Sequence, residues 1–371
     1  MRDAGSSGRR RRSARSGRAE RAFLAPVVTD VRPGPPPTFS VVVAAYQAAD
    51  VVGDALESIR SQTLQPLEVI VCDDGSTDDL DGALEPYRDE IVLLRKENGG
   101  EGSAKNAAAR AARGEFVVVL DADDVYLPRR LEALSRLAQA RPDLDILTTD
   151  GFIVANGRTV RRAYDRTWRF ETVEQRRAIL QRNFVFGLAA VRRSRLLEHG
   201  GFDESILWTT DWDLWLRLIL DGSRAGCVDE PLALYRLRET SLTARRRDLL
   251  LGKLTTLEKA RQNPDLMESE RPTLEASLTA YRRELDLMDL RAAAAAGEPS
   301  TRGRALELLR AGDVRLRSRL QVAALAAAPG VAGRVLRKRE RSAWTGAAGI
   351  RVPRKADRTA DRGATTSSPD P

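Results

Sequence analysis

The stretch FVVVLDADD, residues 116–124, joins five apolar residues to a group of three aspartates. A second stretch of the same kind, LEVIVCDDGSTD, occupies residues 67–78. Short apolar runs rich in β-branched residues are typical of buried strands in a parallel sheet. Side chains that follow such strands line the crevice where open α/β sheets bind ligands. Because crowded carboxylates repel one another, the pattern predicts a metal ion and a polar ligand such as a nucleotide between them.

Strand and helix patterns alternate through the first part of the chain. The predicted strands are residues 39–45, 69–72, 91–94 and 116–120, and the predicted helices are residues 50–62, 81–87, 103–113 and 127–140. Strands that alternate with helices at this spacing are typical of a doubly wound parallel sheet. We therefore expect an α/β fold whose mostly parallel, Rossmann-like sheet is flanked by helices.

The pattern loosens after Asp124 and, beyond the helix at residues 127–140, becomes purely helical near residue 246. The elements predicted here are a strand pair at residues 145–149 and 151–155, strands at 187–191 and 228–235, and helices at 210–220, 249–261, 275–296 and 304–325. This change of pattern predicts an α/β domain at residues 38–245 and an α-helical C-terminal appendage at residues 246–342.

Positive charge is concentrated at the two ends of the chain, which carries 61 Lys and Arg residues against 53 Asp and Glu residues. Residues 1–37, rich in Arg and Pro, and residues 343–371 are predicted to be disordered tails. Basic residues at 334–341 follow an apolar run at 323–328, which suits either peripheral contact with an anionic membrane or a solvated tail. Nucleic-acid binding is not expected, because aromatic residues are not interleaved with the basic segments.

Residue counts exclude several classes of site. His199 is the single histidine, so a His-rich zinc site is impossible, and oxygen ligands would favour Mg²⁺ or Mn²⁺. The two cysteines, Cys72 and Cys227, lie in apolar runs and are expected to be reduced thiols of a cytoplasmic protein. We expect no signal peptide and no membrane-spanning helix, since no apolar run is long enough.

Seven motifs occur in the same order as in the family 2 glycosyltransferases of GT-A fold, which this sequence resembles over residues 39–245. They are VVVAAY at 41–46, DDGSTD at 73–78, NGG at 98–100, GEF at 114–116, DADD at 121–124, GGFDE at 200–204 and DWDLWLR at 211–217. The resemblance implies the GT-A fold, a nucleotide-sugar donor, inversion at the anomeric carbon and dependence on a divalent cation. It also implies a glycan or lipid-linked acceptor, in cell-envelope polysaccharide or glycolipid synthesis.

The resemblance further assigns roles to individual residues. Asp74 would accept the imide N–H of a uracil base, a donor that cytosine lacks. Asp121 and Asp123 would form the DXD motif, with Asp123 as the main metal ligand and Asp121 nearer the ribose or a metal-bound water. Asp211 would be the catalytic base. The remaining residues expected to contact the nucleotide sugar are Ala44, Tyr46, Asp73, Gly75, Ser76 and Lys105.

Simpler interpretations of the same acids stay open at this point. Asp74 can belong to an ordinary turn, and Asp211 can be a first-turn residue stabilised by the helix dipole. Asp124 is either part of the acidic site or the N-cap of the next helix. Asp213 is expected to be solvated or paired with Arg217.

Four positions depart from the family pattern. Gln47 replaces the usual Asn, Thr210 the usual Glu, Lys105 the usual Arg, and Arg238 a His that can complete the metal site. An arginine cannot ligate a metal, so Arg238 predicts weak metal binding or a direct contact with the diphosphate. It also sustains a second hypothesis, a degenerate sugar-nucleotide-binding module that acts as an interaction protein.

Overall fold

The computed structural model describes residues 35–237, 246–310, 316–328, 330–331 and 335. The strands in these ranges are β1 (Phe39–Ala45), β2 (Glu68–Asp73), β3 (Ile91–Arg95), β4 (Phe116–Asp121), β5 (Val125–Tyr126), β6 (Ile146–Ala155), β7 (Arg158–Arg162), β8 (Ala190–Arg192) and β9 (Ala225–Leu237). The helices are α1 (Val52–Arg60), α2 (Leu80–Leu84), α3 (Glu101–Ala111), α4 (Arg130–Ala140), α5 (Gln175–Ile179), α6 (Arg193–Glu198), α7 (Thr210–Leu220), α8 (Arg246–Ala260), α9 (Arg271–Ala296), α10 (Thr301–Arg310) and α11 (Leu316–Ala327).

The strands form a single sheet in the described part of the chain, in the order β3-β2-β1-β4-β8-β6-β9-β5, with β7 paired to β6. Strands β1 to β4 pair with one another in the parallel sense, and so do β6 and β9. The short strands β5, β7 and β8 join the sheet in the antiparallel sense. The predicted α/β class with a mostly parallel sheet and C-terminal helices is confirmed.

Apolar side chains cover both faces of the sheet. In β1, Val42 belongs to the core on one face, whereas Val41 and Val43 belong to the core on the other. Successive residues of a strand point to opposite faces, so a continuous apolar run is what a strand buried on both faces requires. The parallel pairing of β1 with β2 and with β4 places the carboxyl ends of the three strands at the same end of the sheet.

The predicted strand pair at residues 145–149 and 151–155 is wrong, because these residues form the single strand β6. Gly151 does not turn the chain: a Cβ there would lie 2.6 Å from the ring of Phe186, so the glycine allows close packing. The true hairpin partner of β6 is β7. Of the helix predicted at residues 304–325, the described residues lie in α10 and α11, and residues 311–315 lie outside the described ranges.

Helices α8 and α9 pack against the α/β part of the chain. Leu257 of α8 and Leu278 of α9 share a buried core with residues of α7. The side chain of Arg176 donates to both carboxylate oxygens of Glu270, at 2.8 and 2.9 Å. Thr256 of α8 exchanges a 2.8 Å hydrogen bond with Thr209, immediately before α7. The first two helices of the appendage therefore support the helix that carries Asp211.

Several predictions concern residues outside the described ranges. They include residues 1–34 of the predicted N-terminal tail, the predicted tail at residues 343–371, Arg238, and the basic residues of the cluster at 334–341. Among the residues that are described, no helix is both long and apolar enough to cross a membrane. Both cysteines are free thiols, Cys72 buried and Cys227 half-buried.

Candidate active site

The sheet order brings the two acidic stretches together. Strand β1 lies between β2 and β4, where Ala45 is paired with Asp73 and Ala44 with Asp121. Because all three strands are parallel, their carboxyl ends lie at the same end of the sheet, which is where open α/β sheets bind ligands. Ala44, Asp73 and Asp121, which are predicted to contact the nucleotide sugar, thus lie at the ends of adjacent strands.

Asp74 fixes the loop that follows β3. Its Oδ1 accepts hydrogen bonds from Lys96 Nζ at 2.7 Å and from the Gly99 amide at 3.0 Å. Its Oδ2 accepts one from the Gly100 amide at 2.8 Å. The residue is only 2% exposed. Asp74 therefore has a structural task that the sequence did not indicate, and its contact with a base stays a prediction.

The turn after Asp74 requires a glycine. Gly75 has a φ of 78°, and a Cβ there would lie 2.9 Å from the Asn98 amide. Asp73 stabilises the same turn, since its Oδ1 accepts a hydrogen bond from the Ser76 amide at 2.8 Å. Ser76 in turn accepts a hydrogen bond from the Gln47 amide at 3.1 Å. Tyr46, beside Gln47, is 54% exposed and leaves an aromatic ring at the surface next to this turn.

Lys105 on α3 links two of the site's acids. Its Nζ lies 2.8 Å from Asp121 Oδ1 and also pairs with Glu101. Burial alone would lower the pKa of Lys105, but Asp121 and Glu101 outweigh that effect and raise it. Lys105 is consequently a permanent cation that neutralises part of the acidic group.

Asp124 does not cap the next helix, since α4 begins at Arg130 with Arg129 at its N-cap position. Its Oδ1 accepts the Arg236 amide N–H of β9 at 2.8 Å, whereas its buried Oδ2 has no hydrogen-bond partner. Burial first, and then the charges of Asp121 and Asp123, raise the pKa of Asp124 well above its usual range. The N-cap alternative is therefore wrong, and Asp124 belongs to the acidic group.

Asp211 lies in the first turn of α7, whose buried residues, among them Trp212 and Trp215, hold the helix against the core. Its Oδ2 accepts a hydrogen bond from Asn183 Nδ2 at 2.9 Å, and its Oδ1 accepts one from the Trp212 amide at 2.7 Å. Burial raises the pKa of Asp211 to about 6, although the Trp212 amide and the charge of Lys105 oppose the change. Asp211 and Lys105 are thus electrostatic neighbours.

The GGFDE motif is held by Asn106. The Asn106 side chain accepts a hydrogen bond from the Phe202 amide at 2.7 Å and donates one to the Phe202 carbonyl at 2.8 Å. Gly201, with a φ of 79°, has no room for a Cβ, which would lie 2.2 Å from Asn106 Oδ1. The motif thus packs against α3, one residue after Lys105. Asp213 is buried and paired with Arg217 at 2.8 Å, as one of its two predicted states required.

The acidic group offers oxygen ligands to a divalent cation, but not a complete set. Within the described residues, no three or more Asp, Glu, His or Cys side chains are arranged to hold a metal ion. Asp121 and Asp123 are hard oxygen donors of the kind that Mg²⁺ and Mn²⁺ prefer. Asp124 Oδ2, from the same acidic group, is buried and has no hydrogen-bond partner, so protein groups do not satisfy all of the carboxylate oxygens. The residues present therefore fit a cation that completes its ligands from phosphate oxygens and water.

Asn183 is the functional residue that sequence reasoning missed. It lies in the segment 156–185, which has no motif, and no regular spacing relates it to Asp211. A polar residue just before the apolar run 184–186 was the sole signal available.

The fold is that of the GT-A glycosyltransferase structures. Residues 40–200 match the model of glycosyl transferase family 2, and the resemblance found in the sequence is confirmed over these residues.

Relatives and solved structures agree with this assignment. A glycosyltransferase of Methanocaldococcus jannaschii is 27% identical over 54% of this chain and 71% of its own length. The succinoglycan biosynthesis protein ExoO of Rhizobium meliloti is 31% identical over 56% of this chain and 63% of its own length. S. aureus TarS 1–349 in complex with UDP-GlcNAc shares the fold, with a TM-score of 0.55 and 21% identity over 82% of this chain and 92% of that chain. The mannosyltransferase PcManGT of Pyrobaculum calidifontis in complex with GDP-Man and Mn²⁺ has a TM-score of 0.51 and 22% identity over 84% of this chain and 90% of that chain.

Proposed function

We propose that this protein transfers a sugar from a UDP-sugar to a hydroxyl group of its acceptor, with inversion at the anomeric carbon. The observation that carries the proposal is the Asp211 carboxylate, with a pKa of about 6, close to the charged Lys105–Asp121 pair. Such a carboxylate is ionised at neutral pH and is basic enough to take a proton from an alcohol that is attacking carbon.

In the proposed step, the acceptor oxygen attacks the anomeric carbon from the side opposite the diphosphate. A carbon–oxygen bond to the acceptor forms while the bond from the anomeric carbon to the phosphate oxygen breaks. The bonding electron pair leaves with the diphosphate, and the hydroxyl proton passes to Asp211. A single displacement of this kind gives a product of inverted anomeric configuration.

Asp123 and Asp121 are the residues that would hold a divalent cation, Mn²⁺ or Mg²⁺. Bound there, the cation would neutralise charge that develops on the departing diphosphate. Lys105 would contribute a second, permanent positive charge to the same phosphates. The Mn²⁺ in the PcManGT complex supports a cation for this fold, and the pairing of Asp121 with Lys105 suits shared use of that carboxylate.

The nucleotide would lie over the turn formed by Asp73, Asp74, Gly75 and Ser76. Tyr46 is exposed beside this turn, where an aromatic ring can pack on a base. Asp74 is expected to accept the uracil imide N–H, and the TarS complex with UDP-GlcNAc supports uridine as the base. Ala44, at the end of β1, would lie beneath the nucleoside between Asp73 and Asp121.

The acceptor is proposed to be a glycan or a lipid-linked sugar of the cell envelope. ExoO, a succinoglycan biosynthesis protein, supports a role in polysaccharide synthesis. We place the enzyme in the cytoplasm, with peripheral contact to the inner face of the plasma membrane through the C-terminal helices. Leu320 of α11 is 67% exposed and precedes the basic cluster of the sequence, which suits an anionic lipid surface.

One observation favours the second candidate, a binding module without transferase activity. Lys105 already occupies one oxygen of Asp121 and thereby reduces the need for a metal ion. The two candidates differ in turnover: an enzyme releases nucleotide from its donor, whereas a binding module retains the intact nucleotide sugar.

The deciding experiment combines binding and turnover. UDP-sugars and GDP-mannose are screened for thermal stabilisation with Mn²⁺, and nucleotide release is then measured with the best donor. We expect UDP to bind more tightly with Mn²⁺ than without it in calorimetry, and Asp123→Ala to lose that difference. Asp89→Ala, at an exposed site after α2, is the matched control. Equal UDP affinity with and without Mn²⁺ contradicts the metal role, and donor binding without any nucleotide release favours the binding module.

A further inference from the structure

We propose that Trp168 forms a subsite for a pyranose ring of the acceptor, next to Asp211. This inference rests on the proposed function, because it assigns the acceptor side of the same site. It also concerns a segment, residues 156–185, to which no motif assigns a role.

Two hydrogen bonds connect Trp168 to the proposed base. The indole N–H of Trp168 donates to the backbone carbonyl of Asn183 at 2.6 Å. The side-chain amide of Asn183 donates to Asp211 Oδ2 at 2.9 Å. A substrate that lies against the indole would therefore lie near the carboxylate that must receive the acceptor's proton.

The position of the indole is set by a tight turn. Asp165 Oδ1 accepts hydrogen bonds from the amides of Thr167 and Trp168, at 2.6 and 3.0 Å. The Asp165 amide donates to the Trp168 carbonyl at 2.8 Å and closes the turn. An exposed loop with so many internal bonds loses little entropy when it binds a ligand.

The ring is also supported by other aromatic side chains. Tyr164 stacks on Trp168 with ring centroids 4.7 Å apart, and Phe186 meets it edge-on at 6.2 Å. The Tyr164 hydroxyl accepts a hydrogen bond from the Phe186 amide and donates one to the Phe184 carbonyl, both at 2.9 Å. Phe184 and Phe186 are buried, whereas Trp168 is half-buried. Trp168 is thus the aromatic residue of this group that is held in place by its neighbours, is partly accessible, and is connected to Asp211 by hydrogen bonds through Asn183.

This chemistry suits a sugar ring. An indole offers a flat apolar surface, on which the C–H face of a pyranose can pack while its hydroxyl groups remain free for hydrogen bonds. The donor's nucleotide and phosphates are assigned to the ends of β2 and β4, which bear the carboxylates and Lys105. The Trp168–Asn183 pair reaches Asp211 from a different segment of the chain, so the acceptor is the substrate that it would contact.

The test uses ligand-detected saturation-transfer NMR on the full chain, with cellobiose, chitobiose and lactose as probes and UDP with Mn²⁺ present. Wild-type protein and Trp168→Phe are expected to transfer saturation to at least one probe. Trp168→Leu keeps an apolar side chain but lacks a flat ring, and is expected to reduce that transfer about tenfold, as loss of one good contact does. Tyr87→Leu, at another half-buried aromatic residue, whose hydroxyl donates to the Gly53 carbonyl, is the matched control for lost packing.

The outcomes separate this inference from the proposed function, since UDP affinity is measured on the same samples. Loss of the signal in Trp168→Leu but not in Tyr87→Leu supports the subsite. An unchanged signal in Trp168→Leu, or no signal from any probe with wild-type protein, overturns it even if UDP binds. A Trp168-dependent sugar signal without UDP binding would instead leave the subsite standing and contradict the transferase.

Discussion

The ammonium group of Lys105 lies 2.8 Å from Oδ1 of Asp121, so a lysine already neutralises the first carboxylate of the Asp121–Asp124 group. A divalent cation that approaches Asp121 must share this oxygen with Lys105 or displace it. Under the proposed function, Lys105 would be both a competitor for the cation and a partner for the diphosphate.

Replacement of Lys105 separates these two effects. In Lys105→Met the carboxylates lose their internal cation, so Mn²⁺ alone should bind more tightly than to wild-type protein, whereas UDP should bind more weakly. Calorimetry with Mn²⁺ and with UDP, each added separately, measures both changes. Weaker Mn²⁺ binding in this variant would contradict the competition.

Asp211→Asn should abolish sugar transfer and leave UDP affinity within about twofold, because the amide keeps the size of the side chain but cannot accept a proton at neutral pH. In wild-type protein, turnover should rise as pH increases through about 6, where Asp211 becomes ionised, and then reach a plateau. Nucleotide release across pH measures both expectations. Full turnover in Asp211→Asn would assign the base to another residue.

The same substitution should stabilise the fold. The pKa of Asp211 is about 6 in the folded protein and near 4 in an unfolded chain, so the folded state holds the extra proton between these values. Stability therefore falls as pH rises from about 4 to 6, by at most ~2–3 kcal/mol for this group. Because Asn does not ionise, the free energy of unfolding of Asp211→Asn does not fall in this way. The variant should therefore be more stable than wild type above pH 6, with a smaller difference near pH 4. Urea unfolding at both pH values, with Asp89→Asn as the exposed control, tests this.

Asp74→Ala should destabilise the fold as well as weaken UDP binding. The substitution removes the acceptor of three hydrogen bonds that hold the loop after β3, and bonds to a charged group typically contribute about 1.5–3 kcal/mol each. The three are not independent, so we expect a total loss of about 2–4 kcal/mol. Urea unfolding without ligand measures it. Wild-type stability combined with lost UDP affinity would instead favour a role confined to the base.

The C-terminal helices should bind anionic lipid. Full-length protein is compared with a chain that ends at Arg319, in co-sedimentation with vesicles that contain phosphatidylserine, at low and high salt. We expect the full chain to sediment at low salt and the shortened chain to stay in solution, because each basic residue near such a surface contributes about 1 kcal/mol. If neither protein sediments, the acceptor is better sought among soluble glycans.

The sequence predicted the parts of this molecule that depend on local patterns. Strands β1 to β4 and helix α7 follow from apolar runs. Strand β1 lies between β2 and β4, so Asp73 and Asp121 lie at the same end of the sheet. What sequence reasoning missed depends on contacts between distant segments. The break predicted between residues 149 and 151 does not occur, because Gly151 continues the strand and packs closely against the ring of Phe186. Asn183 has no signal without Asp211. The structural role of Asp74 could not be predicted for the same reason. Asp74 follows β2, whereas the groups that donate hydrogen bonds to it follow β3.

Helices α8 and α9 have a practical consequence for the choice of fragments of this protein. The family match ends at residue 200, yet Thr256 is bonded to Thr209, and Glu270 binds Arg176 through both of its carboxylate oxygens. A fragment cut at either residue 200 or residue 245 would expose the apolar residues that these helices cover, next to the helix of Asp211. Chimaeras with other glycosyltransferases should therefore exchange the catalytic part and both helices together, up to the end of α9 at Ala296.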